Sequence, residues 1–224
     1  MIAAVIFDLD GTIISDEDEY GNAFREVLES LGKRVDKSFP HIGGIGVQEN
    51  WPILLSKYNI KTKKSVEELT KETQEAYLKE LSSVSPKPGF DVFVKDLRKR
   101  KIKIGLATSN SRFMLEKVFD ALKLEKYFDV TTTGEEVKFK KPAPDLFLLT
   151  ASKLKAKPKD CLVFEDSRAG VKAAHAAGMK VVGIARDEIH KTELKDADIL
   201  ISSFRKISFS DLKNMKNEKT RVKY

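Results

Sequence analysis

The chain has 224 residues, 41% of them apolar and 33% charged, with a formal net charge of +7. That is ample material for a core, and no apolar run approaches the ~20 residues that a membrane-crossing helix needs. One cysteine, Cys161, excludes an intramolecular disulfide. With no basic leader ahead of the first apolar run, the expected setting is a reducing cytoplasm.

In chain order, the first element is the run AAVIF at residues 3–7, short and rich in branched and aromatic residues, as a strand buried on both faces would be. It ends in Asp8 and Asp10, followed by Gly11 and Thr12. Residues two apart on an extended chain face the same way, so the two carboxylates converge and call for a positive partner. SDEDE at 15–19 leads out into helical periodicity at 18–31, 47–58 and 65–81, with no buried strand before the turn-rich SSVSPKPG at 82–89. A helix at 91–99 precedes the strand IKIGLA at 102–107, which is trailed by Thr108, Ser109 and Asn110. After a helix at 111–124 and a weaker strand within 128–133 comes KKPAPD. There Pro142 suits a first helical turn and holds Lys141 extended, ahead of a helix at 143–154. The strand CLVF at 161–164 ends in Glu165, Asp166 and Ser167. A helix at 168–177 closed by Gly178 and strands at 180–185 and 197–201 complete the pattern.

Short buried strands alternating with helices predict an α/β chain with a parallel sheet and right-handed crossovers, and a ligand crevice beyond the strands' carboxyl ends. The helical stretch interrupts that alternation. It divides the chain into a core of residues 1–15 and 87–224 and an all-helical cap of residues 16–86, hinged as a lid. The basic excess gathers in RKRKIK at 98–103, where cations suit a helix end, and in the tail KNMKNEKTRVKY, which has no interleaved aromatics before Tyr224. Solvated surface is the expected role and nucleic acid is not an expected partner. The charge can also draw in anionic substrates.

Taken singly, an acid after a strand is an ordinary turn residue, TSN an ordinary helix N-cap and a lysine ordinary surface. Brought together at one sheet edge, they suit phosphoryl transfer. Asp8, Asp166 and a main-chain oxygen near Asp10 are the hard oxygen donors that Mg²⁺ prefers. The ion would relieve a repulsion worth ~4 kcal/mol per pair of unit charges at ~4 Å and an effective dielectric of ~20. Lys141 adds a second positive charge, and the Thr108 hydroxyl and Ser109 amide would donate hydrogen bonds to phosphoryl oxygens.

DLDGT, TSN, KKPAPD and VFEDSRAGVKAAHAAGM resemble, in order, the four motifs of the haloacid-dehalogenase-like hydrolase superfamily. The resemblance implies a Rossmann-like parallel core with a helical cap inserted after the first strand, as in the phosphoglycolate phosphatase and β-phosphoglucomutase-like members. It makes Asp8 the nucleophile that becomes an aspartyl phosphate and Asp10 the general acid and base. Thr108, Ser109 and Lys141 would hold the phosphoryl group, and Asp8, Asp10, Glu165 and Asp166 would hold Mg²⁺. Retention of Asp10 points to phosphate esters. In the mutases a Thr and a His follow the first motif and a cap-loop Arg grips a second phosphate. Here those positions fall on Asp16 and Tyr20, and the loop HIGGIGVQENW at 41–51 has no Arg or Lys, although Lys33, Arg34 or Lys37 could reach in. The expectation is therefore a phosphatase of a small phosphorylated metabolite (a sugar, polyol or organic-acid monophosphate), acting as a monomer or weak dimer. A phosphosugar mutase is the alternative, and a non-catalytic binding protein using its basic surface is the alternative of another class. From the cap, Tyr20, Gly44, Gln48 and Asn50 are the expected substrate contacts. Lys140 stands where the family usually has Gly, and is expected to face solvent or the cap edge.

Overall fold

The computed structural model describes residues 2–35 and 40–215; Lys37 and most of the basic tail lie outside the described residues. The elements in order are β1 (Ala4–Phe7), β2 (Ile14–Ser15), α1 (Glu17–Ser30), α2 (Val47–Lys57), α3 (Val66–Glu80), β3 (Ser85–Pro86), α4 (Phe90–Lys99), β4 (Lys103–Ala107) and α5 (Arg112–Leu122). There follow β5 (Val130–Thr132), α6 (Asp145–Lys153), β6 (Cys161–Glu165), α7 (Arg168–Ala176), β7 (Lys180–Ile184), α8 (Glu188–Glu193), β8 (Ile199–Ile201) and α9 (Phe209–Asn214).

Six strands form one parallel sheet in the order β5-β4-β1-β6-β7-β8. The chain runs outward from β1 to one edge, then returns to build the other half from β6, so the switch point lies between β1 and β6. Strand alternation sorts the core into two layers. Val5, Phe7, Ile104, Leu106 and Phe164 pack on one face with α4 and α5, while Ala4, Ile6, Val163 and Val181 pack on the other with α6 and α7. Phe7 stacks on Phe164 at 4.9 Å between ring centres and meets Phe90 edge-on at 5.5 Å. This aromatic floor fixes the two strand ends that carry Asp8 and Asp166.

The helical insertion leaves and re-enters the sheet domain through β2 and β3, a two-residue antiparallel ribbon in which Ile14 pairs with Pro86 and Ser15 with Ser85. Its own interior is aromatic: Tyr20 stacks on Tyr77 at 4.0 Å, and buried Trp51 packs beside Phe24 and donates from Nε1 to Thr73 Oγ1 at 3.0 Å. Ser65 and Glu68 close a reciprocal cap on α3.

Two local expectations change. Pro142 is not in the first turn of α6: that helix starts at Asp145, and the Lys141–Pro142 peptide is cis, which places Lys141 in a tight turn ahead of it. The N-cap of α5 is Ser111, whose hydroxyl accepts from the Met114 amide, so Thr108, Ser109 and Asn110 are left for other work. The short helices α8 and α9 carry too few periodic apolar residues to have been anticipated.

Candidate active site

Adjacent strands in register bring the motif residues together at the carboxyl edge. Phe7 pairs with Phe164 and with Leu106, so Asp8, Asp166 and Thr108 emerge side by side, and the Asp8 amide donates to Phe164 O at 3.0 Å. Lys141 reaches this edge from the turn before α6. Its buried Nζ donates to Asp8 Oδ1 at 2.5 Å and to Glu165 Oε1 at 2.6 Å. The neighbouring Lys140 points the other way, 2.7 Å from Glu49 Oε1 on α2, and ties the core to the helical insertion.

One oxygen from each of Asp8, Glu165 and Asp166 lies within 4.8 Å of the others, a group that could hold a metal ion. The donor set is all carboxylate, which suits a hard divalent cation. Glu165 is heavily committed: besides Lys141, its Oε2 accepts from the Ser167 amide at 2.7 Å and the Ser167 hydroxyl at 2.9 Å. Asp166 Oδ1 accepts from the Thr12 hydroxyl at 3.1 Å, and a Cβ at Gly11 would lie 2.0 Å from Asp166 Oδ2. Gly11, with φ of +69°, therefore allows the loop to fold tightly over that carboxylate. These donors fit a metal ion. Burial pushes the Asp8 carboxyl up to about 8, with Lys141 pulling it down and Glu165 and Asp10 pushing it further up. Burial, then the charges of Glu165 and Asp8, holds Asp166 well above the usual range. Burial works against the Lys141 ammonium too, but Asp8 and Glu165 outweigh it and the pKa rises.

Asp10 lies one layer out. Its carboxylate accepts from Asn110 Nδ2 at 3.1 and 2.9 Å and from the Thr108 hydroxyl at 3.4 Å, and burial raises its pKa. Asp16 is the site residue that sequence reasoning missed. It is 1% exposed, accepts from the Gly11 amide and the Tyr77 hydroxyl at 3.0 Å each, and its charge bears on Asp10. Burial, then the Asp10 charge, raises its pKa well above the usual range. An acid inside the run SDEDE reads as solvated polarity, and the one spacing that singles it out, the position of the mutases' Thr, assigns it no role of its own. Asn110, a polar residue after a strand with no role legible from TSN alone, joins Asp10 to the insertion through the Tyr20 hydroxyl, 3.2 Å from its Oδ1.

The insertion closes over this edge. Asp8, Asp10, Tyr20, Phe24, His41 and Asn110 are among the walls of a half-open cavity of about 70 Å³, and no Lys or Arg among the described residues lines it. Lys33 instead lies over the Tyr58 ring at 5.6 Å. The expected cap contacts divide. Gly44 lines the cavity, and Ser109 donates to its carbonyl at 3.2 Å. Tyr20 lines it too, with its hydroxyl spent on Asn110. Gln48 is exposed and lies outside it. Asn50 lines it but uses its side-chain amide to clasp the loop backbone, accepting from Ile42 N at 2.7 Å and donating to Ile42 O and Gly46 O at 3.1 Å.

Among known proteins, the sequence profile of haloacid dehalogenase-like hydrolases matches residues 5–184. A phosphorylated carbohydrates phosphatase of Thermotoga maritima is 39% identical over 184 residues, 79% of this chain and 82% of that protein. Fructose-1-phosphate phosphatase YqaB of Escherichia coli is 34% identical over 81% of this chain and 96% of its own. The crystal structure of β-phosphoglucomutase from Clostridium difficile superposes with a TM-score of 0.86 at 28% identity, covering 97% of this chain and 98% of that one. In sequence and in the geometry of its sheet edge, the chain belongs to the haloacid dehalogenase-like hydrolases.

Proposed function

We propose that this enzyme is a Mg²⁺-dependent phosphatase of small phosphorylated carbohydrates, with residues 16–86 as a cap over a core of residues 1–15 and 87–224. The observation that carries the reading is the buried Lys141 bridge between Asp8 and Glu165, set beside Asp166 under a cavity that no Lys or Arg among the described residues lines. A nucleophilic carboxylate must be ionised, and burial alone keeps Asp8 protonated near neutral pH. Mg²⁺, held by Asp8, Asp166 and the main-chain oxygen of Asp10, would offset that burial and the charge of the phosphoryl group.

Asp8 then attacks phosphorus while Lys141 neutralises charge on the phosphoryl oxygens, with Thr108 and Ser109 as further donors. Asp10, its carboxyl raised by burial, protonates the departing alcohol oxygen. The resulting carboxylate takes a proton from water, which attacks the aspartyl phosphate and releases inorganic phosphate and free Asp8. Asn110 and Asp16 orient Asp10 for both steps, and the Tyr20 and Tyr77 hydroxyls connect that orientation to the cap.

Walls of Tyr20, Phe24, His41 and Ile42 offer a substrate neutral polar and apolar surface. That favours a sugar or polyol monophosphate over a bisphosphate held through both ends, and so a phosphatase over a mutase. The names of the two relatives, a phosphorylated-carbohydrate and a fructose 1-phosphate phosphatase, support the same substrate class. The deciding experiment is phosphate release from a panel of sugar, polyol, nucleotide and organic-acid monophosphates, with Mg²⁺, with chelator and with Asp8→Asn. Metal-dependent release from the carbohydrate esters, abolished by Asp8→Asn, is the expected result. No release from any ester by a folded, Mg²⁺-binding protein refutes the phosphatase, and glucose 1-phosphate isomerisation then tests the mutase.

A further inference from the structure

We propose that Glu17, the first residue of α1, determines specificity by accepting a hydrogen bond from a hydroxyl of the leaving group, and so selects polyhydroxylated phosphate esters. The assignment rests on the phosphatase reading and supplies the contact that recognises the carbohydrate. The catalytic cavity adjoins a larger cleft of about 780 Å³ beside the cap loop and α7. Glu17, His41, Ile42, Gly43 and Asp166 wall both, and no Lys or Arg among the described residues belongs to that shared wall. A leaving group too large for the cavity of about 70 Å³ therefore extends along it.

Most carboxylates on the cavity wall already have work. Asp8, Asp10 and Asp166 serve the phosphoryl group and its metal, and buried Asp16 accepts from the Gly11 amide on one oxygen and the Tyr77 hydroxyl on the other. Glu17 remains. Its Oε2 accepts from the Asp16 amide at 3.2 Å, whereas its Oε1 accepts no hydrogen bond from a described residue. Lys87 Nζ lies 3.6 Å from that Oε1, and the lysine side chain is only 11% exposed. Lys87 lines neither space, so it holds the carboxylate and leaves the cavity side open. Tyr20 and Asn50 on the same wall have no such capacity: the Tyr20 hydroxyl goes to Asn110, and the Asn50 amide goes to the cap-loop backbone. An acid at a helix start also suits the dipole, but Asp18 and Glu19 supply that from the same turn and line neither space. An ionised carboxylate accepts and cannot donate, so it pairs with a hydroxyl and repels a carboxylate or a second phosphate. A site that hydrogen-bonds a substrate hydroxyl rejects the analogue lacking it far more strongly than an apolar wall does.

The test compares kcat/KM on fructose 1-phosphate, n-butyl phosphate and phosphoglycolate, with Mg²⁺, for the full-length wild type, Glu17→Ala, Glu17→Gln and Lys87→Met. Fructose 1-phosphate and n-butyl phosphate are also titrated calorimetrically into Asp8→Asn, with and without Glu17→Ala. The ratio of fructose 1-phosphate to n-butyl phosphate should fall about tenfold or more in Glu17→Ala. Any misfolded fraction lowers both esters alike and cancels in that ratio. The ratio of phosphoglycolate to n-butyl phosphate should rise several-fold in Glu17→Gln, which loses the charge and keeps the size. Lys87→Met should leave both ratios within about twofold, since Lys87 meets no substrate. Equal losses on all three esters in Glu17→Ala, or a Lys87→Met protein that reproduces the shifts, overturn the proposal and leave the phosphatase standing. If no ester is hydrolysed but Asp8→Asn binds fructose 1-phosphate about tenfold more tightly than the double variant, the contact stands and the phosphatase reading falls. Neither hydrolysis nor binding of any ester overturns both.

Discussion

Lys140 and Lys141 are adjacent in sequence and opposite in consequence, so exchanging each for Met separates the site's electrostatics from the latch. Lys141→Met strands two buried carboxylates, and breaking a buried ion pair from one side costs about 3–5 kcal/mol. Asp8 limits the damage, because a carboxyl already pushed up to about 8 takes a proton readily at neutral pH. The loss is then mainly at Glu165, which keeps its bonds to the Ser167 amide and hydroxyl. The low end, about 3 kcal/mol, follows, equivalent to a Tm lower by about 6–12 °C for a chain of this size. Lys140 and Glu49 are 24% and 34% exposed, so Lys140→Met should cost less than about 1 kcal/mol. Urea denaturation gives both numbers. Phosphate release should fall by about 100-fold or more for Lys141→Met and by only a few-fold for Lys140→Met. An inactive Lys140→Met beside an active Lys141→Met would refute the reasoning.

The carboxylate cluster sets a pH trend for the metal-free protein. Asp8, Asp16 and Asp166 all have folded pKa values above the unfolded one, so the stability they contribute is fully present below about pH 4 and is lost as pH rises toward their folded values. Melting in chelator should therefore fall between pH 5 and 8, by at most about 1.4 kcal/mol per pH unit for each such carboxyl, and saturating Mg²⁺ should flatten the slope. A chelator Tm that climbs over that range contradicts the cluster's electrostatics. Asp16→Ala removes acceptors for the Gly11 amide and Tyr77 hydroxyl and should cost about 1–3 kcal/mol and lower kcat about tenfold or more, whereas Asp16→Asn should keep most of the stability. Equal stability of the two variants in urea would show that these bonds carry nothing. At Gly44, φ is +79° and a Cβ would lie 1.9 Å from Ser167 Oγ, so Gly44→Ala should hold the cap loop off the core and raise KM with little change in Tm. An unchanged KM would mean that the loop does not close on substrate.

How far the sequence could be read follows from which interactions are local. The period-2 alternation in AVIF divides Val5 and Phe7 from Ala4 and Ile6, and the two core layers follow the same division. The strand ends then had to converge, because parallel pairing with β1 in register leaves no other edge for Asp8, Thr108 and Asp166. What could not be read depends on partners distant in sequence. Asp16 is buried because Tyr77, 61 residues away, lays a hydroxyl on it, and nothing in SDEDE separates that acid from its solvated neighbours. Asn50 and Gln48 looked equally suited to touch a substrate. Two positions apart on α2 they point to opposite sides, and which side meets the loop is decided by the packing of Trp51 beneath them. The same limit bears on substrate choice. The core motifs are read from residues that must meet a phosphoryl group whatever carries it, while the cavity wall is assembled from α1, the cap loop and Asn110, three segments whose meeting is a property of the closed cap. A substrate class is therefore carried by that wall, and substitutions there should change which ester is cleaved while leaving the chemistry at Asp8 intact.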